Sequence, residues 1–155
     1  MTESSQVKIL LDQEDHVETV WADPLGADRY RVDNSPFWAY GISWHDVIEA
    51  RPAADGMLTF VRVCEKSGHR TLRLILNPPS DQSAESRAVL DRLISLGASY
   101  EGMNHGYLAI NIPPNLQLER ITDYLESTGQ KWESADPPGT DLEPDTTVES
   151  GAADV

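Results

Sequence analysis

The chain has 155 residues, with 12 Lys+Arg against 26 Asp+Glu and a formal net charge of −14. That length fits one domain or two small halves sharing an interface, and it buries about two-thirds of the unfolded surface without needing a metal or disulfide. The acidity argues against nucleic acid, whose binders depend on cations that neutralise phosphates, and against anionic membrane surfaces.

The first 15 residues carry Glu3, Asp12, Glu14 and Asp15 against Lys8. They are expected to be flexible, with a short strand at 8–11. Residues 16–22 alternate Val17, Thr19 and Trp21 against Glu18, Val20 and Ala22, a strand with one polar-leaning face. Asp23-Pro-Leu-Gly-Ala-Asp28 has turn chemistry, and residues 29–33 alternate again to close a hairpin. Asp33-Asn-Ser-Pro36 breaks the pattern, and an aromatic run, Phe37-Trp-Ala-Tyr40, ends at Gly41. Residues 46–51 and 57–65 are strand-like around Asp55-Gly56, a strong hairpin signal. Short strands at this spacing predict a small barrel or curled antiparallel sheet over residues 16–68.

From His69 the period changes. Residues 69–76 alternate until Pro78-Pro79 stops the strand. Ser80, Asp81 or Ser83 can cap a helix to about Leu96, with Val89, Leu90, Leu93 and Ile94 at helical spacing and Gly97 at its end. Residues 99–102 and 107–112 read as strands, and Asn115 is the expected cap of a second helix presenting Leu118, Ile121, Tyr124 and Leu125. A last strand follows at 131–135. The order β-α-β-β-α-β over residues 69–135 predicts a ferredoxin-like half. From Asp136 to Val155 there are six acidic residues, three prolines and no basic residue, a composition that predicts a disordered acidic tail. The fold class expected is therefore α+β, a barrel-like half followed by a ferredoxin-like half and that tail. The body between 16 and 135 has 16 acids and 11 bases, a net of only −5.

The single cysteine, Cys64, permits no internal disulfide, and the start lacks the basic-then-apolar pattern of a secretory signal, so a cytoplasmic location is expected. Four histidines, at 16, 45, 69 and 105, show no paired spacing with each other or with Cys64, so no metal is predicted. No Gly-rich phosphate loop or other cofactor motif is present. Residues 57–76 hold Arg62, Lys66, Arg70 and Arg73 against Glu65. Together with the Ser67-Gly-His-Arg-Thr71 turn they form a candidate site for a small anionic ligand, or simply a strand with solvated cations. Phe37, Trp38, Tyr40 and Trp44 are four of eleven aromatics within eight positions. They either fill a core or anchor a partner.

Two resemblances bear on this. Val20-Trp-Ala-Asp-Pro-Leu-Gly26, Tyr30-Arg-Val-Asp-Asn-Ser-Pro-Phe37, Ala39-Tyr-Gly41, Asp46-Val-Ile-Glu-Ala50 and Ser67-Gly-His-Arg-Thr-Leu-Arg73 resemble a bacterial family, domain of unknown function 4265. The chain departs from that pattern at His45, where the resemblance implies glycine. Leu90 to Pro137, with Leu-Gly-Ala after the first helix and Tyr-Leu-Glu-Ser-Thr-Gly129 after the second, is similar to the ribonuclease E inhibitor family. That resemblance implies a small acidic, ferredoxin-like, protein-binding regulator.

No catalytic constellation is legible. The expected function is a non-enzymatic regulator or immunity-type inhibitor acting on a basic protein partner. The alternatives are an anionic-ligand sensor and an enzyme with a site around His69, Arg70, Asp33 and Tyr40. Candidate binding residues are Trp38, Tyr40, Trp44, Arg62, His69, Arg70 and Arg73.

Overall fold

Five strands close into a barrel: β1 (Val7–Gln13), β2 (His16–Gly26), β3 (Arg29–Val32), β4 (Val47–Pro52) and β5 (Leu58–Glu65). The computed structural model describes residues 5–13 and 16–139. Consecutive strands pair antiparallel, and the ring closes where β1 meets β5 in parallel at Leu10 and Thr59. The N-terminal strand is longer than its sequence suggested: β1 pairs from Val7 opposite Ala22 to Gln13 opposite His16, and buries Ile9 and Leu11. The β2–β3 turn is also tighter than expected. Pro24 pairs with Tyr30 beside a register shift, and Ala27 and Asp28 alone turn the chain at φ 56° and 62°, the two left-handed residues a type I′ hairpin requires. The β4–β5 hairpin turns at Asp55-Gly56 as expected, with Asp55 Oδ1 accepting from Met57 N at 2.9 Å.

The second half follows the expected element order: β6 (Arg70–Ile75), α1 (Ala84–Leu96), β7 (Ser99–Asn104), β8 (Tyr107–Ile112), α2 (Leu118–Thr128) and β9 (Lys131–Asp136). Its antiparallel sheet runs β7-β8-β6-β9. Ser83 caps α1 by accepting from Ser86 N, and Gly97 ends it at φ 109°. Asn115 does not cap α2. The chain turns through Pro113–Leu116 instead, and Gln117 occupies the cap position without a side-chain bond. Leu72, Leu74, Leu93, Ile110, Ile121 and Leu125 are fully buried between sheet and helices, each contributing about 1.5–3 kcal/mol.

Alternation along β6 turns Leu72 and Leu74 toward the helices and Thr71, Arg73 and Ile75 toward the other face. The link between β3 and β4, residues 33–46, docks on that face. Asp136, whose composition placed it in the acidic tail, is the last residue of β9 and is buried. The stretch after residue 139, with the rest of the expected tail, lies outside the described residues.

Candidate functional site

The link carries the aromatic run, and its backbone has no strand partner along most of its length. Side chains supply the partners instead. Glu18, on β2, accepts from the amides of Phe37, Trp38 and Ala39 at 2.8, 2.8 and 2.7 Å. From the other sheet, Arg73 donates to the carbonyls of Trp38 at 3.0 Å, Pro36 at 3.2 Å and Ala39. Burial pulls the pKa of Arg73 down, opposed by nearby Tyr107, Glu18 and Glu133. Ala39 and Ile42, not the aromatic rings, enter the barrel core. Trp38 stacks between His16 and Tyr107, with centroids 4.7 and 4.9 Å away, and Tyr107 donates to the Phe37 carbonyl at 2.6 Å. Tyr40 is the exposed member. Its ring lies 5.0 Å from the Arg73 guanidinium, and its hydroxyl donates to Glu133 at 2.8 Å.

A second set of bonds closes the junction. Lys66 Nζ lies 2.5 Å from Asp46 Oδ2 and 2.6 Å from Asp136 Oδ2. Ser43 Oγ donates to Asp136 at 2.5 Å and meets Thr71 Oγ1 at 2.6 Å. Asp46, fully buried, also accepts from the amides of Ser43 and Ser67, both at 2.8 Å. Buried carboxylates demand this complete a set of donors.

Beside these bonds, over β7 and β8, lies a cleft of about 230 Å³ lined by Asp33, Ser35, Trp44, Ser99, Tyr100, Glu101 and Asn111. Asp33 accepts from Trp44 Nε1 at 3.2 Å and Gln6 Nε2 at 2.6 Å. Glu101 accepts from the Ser35 amide at 2.8 Å. Burial pushes the Glu101 carboxyl above its usual pKa, against the Ser35 and Asn34 hydrogen bonds that favour its charged form. Among the described residues no Lys or Arg pairs with either acid, and the buried Ser35 Oγ has no partner. Two histidines touch the cleft's lining residues: His69, whose Nδ1 is 3.0 Å from Asn111 Oδ1, and His45, which stacks on Trp44 at 3.7 Å. His45 has φ 71°, the left-handed region that favours glycine.

The structure separates most of the residues that the sequence grouped. Arg62 lies on the barrel exterior, 2.8 Å from Glu49. Lys66 belongs to the junction, and Arg73 is spent on carbonyls. Arg70 lines a different recess with Gly68 and residues 113–119. The turn at 67–70 has the amides of Ser67 and His69 already engaged, by Asp46 and by Ser67 Oγ. Trp44 lines the cleft and His69 touches two of its walls, while Trp38 and Tyr40 lie with Arg73. Asp33 and Tyr40 are therefore on separate surfaces. Sequence reasoning missed Glu18, Ser35, Glu101 and Asn111 as site residues. Two carried a signal: Glu18 shares its strand parity with the core residues Val20 and Ala22, and Asn111 interrupts an apolar strand. Among the described residues no group of three or more His, Cys, Asp or Glu has metal-binding geometry.

Residues 18–135 match the model of the family described as domain of unknown function (DUF4265). The chain belongs to this family. The match runs from the strand that supplies Glu18, through the link, to the penultimate residue of β9, so the DUF4265 region includes the cleft and all of the junction except Asp136. A crystal structure of a hypothetical protein from Neisseria gonorrhoeae is similar, with a TM-score of 0.65 and 17% identity over 89% of this chain and 98% of that one. At that identity the likeness speaks to the fold alone. A search of curated proteins gives no match. No helix among the described residues is long and apolar enough to cross a membrane.

Proposed function

We propose that this DUF4265 protein is a non-enzymatic, cytoplasmic regulator or immunity-type inhibitor that binds a basic protein partner, seating one of the partner's cationic side chains in the cleft. The carrying observation is a pair of carboxylates, Asp33 and Glu101, contributed by opposite halves and lacking a cationic counter-charge among the described residues. Trp44 supplies an aromatic wall suited to a guanidinium. Ser35, which also lines the cleft, keeps its Oγ buried without a partner. The net charge of −14 favours encounter with a basic surface. We read the four-stranded half as ferredoxin-like on its strand order, which agrees with the resemblance to an acidic inhibitor family.

The test uses Nα-acetyl-arginine amide and its neutral counterpart, Nα-acetyl-citrulline amide, followed by the indole N–H resonance of Trp44. The arginine compound is expected to move that resonance saturably and to bind at least about tenfold more tightly, since hydrogen bonds to charged groups exceed neutral ones. Asp33→Asn and Glu101→Gln should each weaken it. Equal responses to the two compounds, or a response indifferent to both substitutions, overturns the proposal.

A further inference from the structure

A second cavity, of about 220 Å³, opens over β6, β8 and β9 and shares no residue with the acidic cleft. It is lined by Arg73, Ile75, Tyr107, Lys131, Trp132 and Glu133. Ile75, Tyr107 and Trp132 make its walls apolar, and the charged lining residues are two cations and one acid. Arg73 is 2% exposed, and its Nε is a buried donor with no acceptor. The other two guanidinium nitrogens are held by carbonyls, which are dipoles and bring no counter-charge. The carboxylate that pairs with it is that of Glu133, 3.9 Å away and half exposed, already accepting from Tyr40. Glu18, the other acid on this side, is taken up by three backbone amides.

A buried guanidinium with an unused donor and a distant counter-ion is an incomplete arrangement, because uncompensated buried charge is strongly unfavourable. A carboxylate entering the cavity beside Arg73 supplies the missing charge. Lys131 adds a second cation to its lining. The volume is below the roughly 300–1,000 Å³ of drug-sized sites, which suits a compact molecule whose apolar body lies against Ile75, Tyr107 and Trp132. We infer that this cavity binds a small organic monocarboxylate with an aromatic or branched apolar body. The inference stands apart from the cationic cleft and does not depend on it.

The probes are benzoate and its neutral counterpart benzamide, titrated into the ¹⁵N-labelled full chain. Benzoate should shift the amides of Ile75, Tyr107 and Lys131 saturably while those of Glu101 and Asn111 stay still. Benzamide should bind at least about tenfold more weakly. Lys131→Ala should weaken benzoate and Glu133→Gln should strengthen it, by removing and relieving charge respectively. Ile75→Trp, at a half-exposed position, should fill the cavity and abolish the shifts. Equal binding of the two probes, benzoate shifts that survive Ile75→Trp, or no saturation by about 20 mM sinks the inference. Lys131→Ala, on an exposed side chain, keeps the question decidable if the tryptophan variant does not fold.

Discussion

Glu18 and Arg73 come from different sheets and hold the same strip of backbone from its two sides. The carboxylate takes the amides of residues 37–39, and the guanidinium takes the carbonyls of residues 36, 38 and 39. The strip is thereby satisfied without a strand neighbour, as buried peptide groups must be. The aromatic rings are left free to pack on the second sheet. This arrangement fixes the middle of the 33–46 link, between Asp33 and Trp44.

Arg73→Met should therefore destabilise by about 3 kcal/mol or more, because it strands buried carbonyls and leaves Glu133 and Tyr40 without their cation. Glu18→Gln should cost about 2 kcal/mol, since one amide oxygen replaces two carboxylate oxygens serving three donors. Urea denaturation followed by tryptophan fluorescence measures both. A loss below about 1 kcal/mol for Arg73→Met contradicts this account of the link.

Lys66 bridges two carboxylates from different halves, yet its side chain is 44% exposed, so solvent moderates the interaction. Lys66→Met is expected to cost about 1–3 kcal/mol. Asp136→Asn removes part of the same network. The double variant should lose less than the sum of the single ones, by more than about 0.5 kcal/mol. Strict additivity in a double-mutant cycle would show that the three groups do not act together.

Glu101 gives a pH signature. Its carboxyl is raised above the ordinary 4.5, chiefly by burial, so the folded protein holds that proton more tightly than the unfolded chain. Its contribution to stability is present below the unfolded pKa and is lost as pH rises through the higher folded value. Glu101→Gln should thus stabilise more at pH about 7 than at pH about 4. Binding of a cation in the cleft has the opposite dependence, falling on acidification at a pH above that of an ordinary carboxylate. Stability curves for the two proteins across this range that stay parallel speak against the burial of Glu101.

His45 titrates the other way. Burial, then the neighbouring His69, pulls its pKa below 6.5, so its contribution is present above that value and is lost as pH falls through the folded pKa. His45→Gly should flatten the acid-side loss just below pH 6.5. At neutral pH it should be nearly silent, because relief of the left-handed backbone offsets the lost stacking on Trp44 and the added chain freedom. His45→Val, which places a β-branched side chain at positive φ, should cost about 1–2 kcal/mol. A glycine variant markedly less stable than the valine one would be inconsistent with the observed φ.

Much of the fold is written in local pattern. The 2-residue period of Leu72 and Leu74, the cap at Ser83, the glycine after α1 and the Asp55-Gly56 turn each act over a few residues and can be read from them. The site is not local. Glu18 and Arg73 reach residues 19 to 37 positions away, and Asp46, Lys66 and Asp136 meet across as many as 90 residues. Composition alone assigns Asp136 to a tail, because the lysine ammonium that recruits it is 70 positions upstream. The four cations from Arg62 to Arg73 look like one island in sequence. Strand geometry sends them to a barrel wall, a junction, a surface recess and a buried face.

The link between β3 and β4 is chemically part of both halves, and this bears on how such a protein can change over evolutionary time. A chain severed near Gly68 would leave Asp46 facing no β9 carboxylate network, Trp38 without its Tyr107 neighbour and Arg73 without the carbonyls that tolerate its burial. Each piece parted from the other loses partners for polar groups that the intact chain satisfies, so separation by recombination costs both, and keeping barrel with sheet also keeps the cleft.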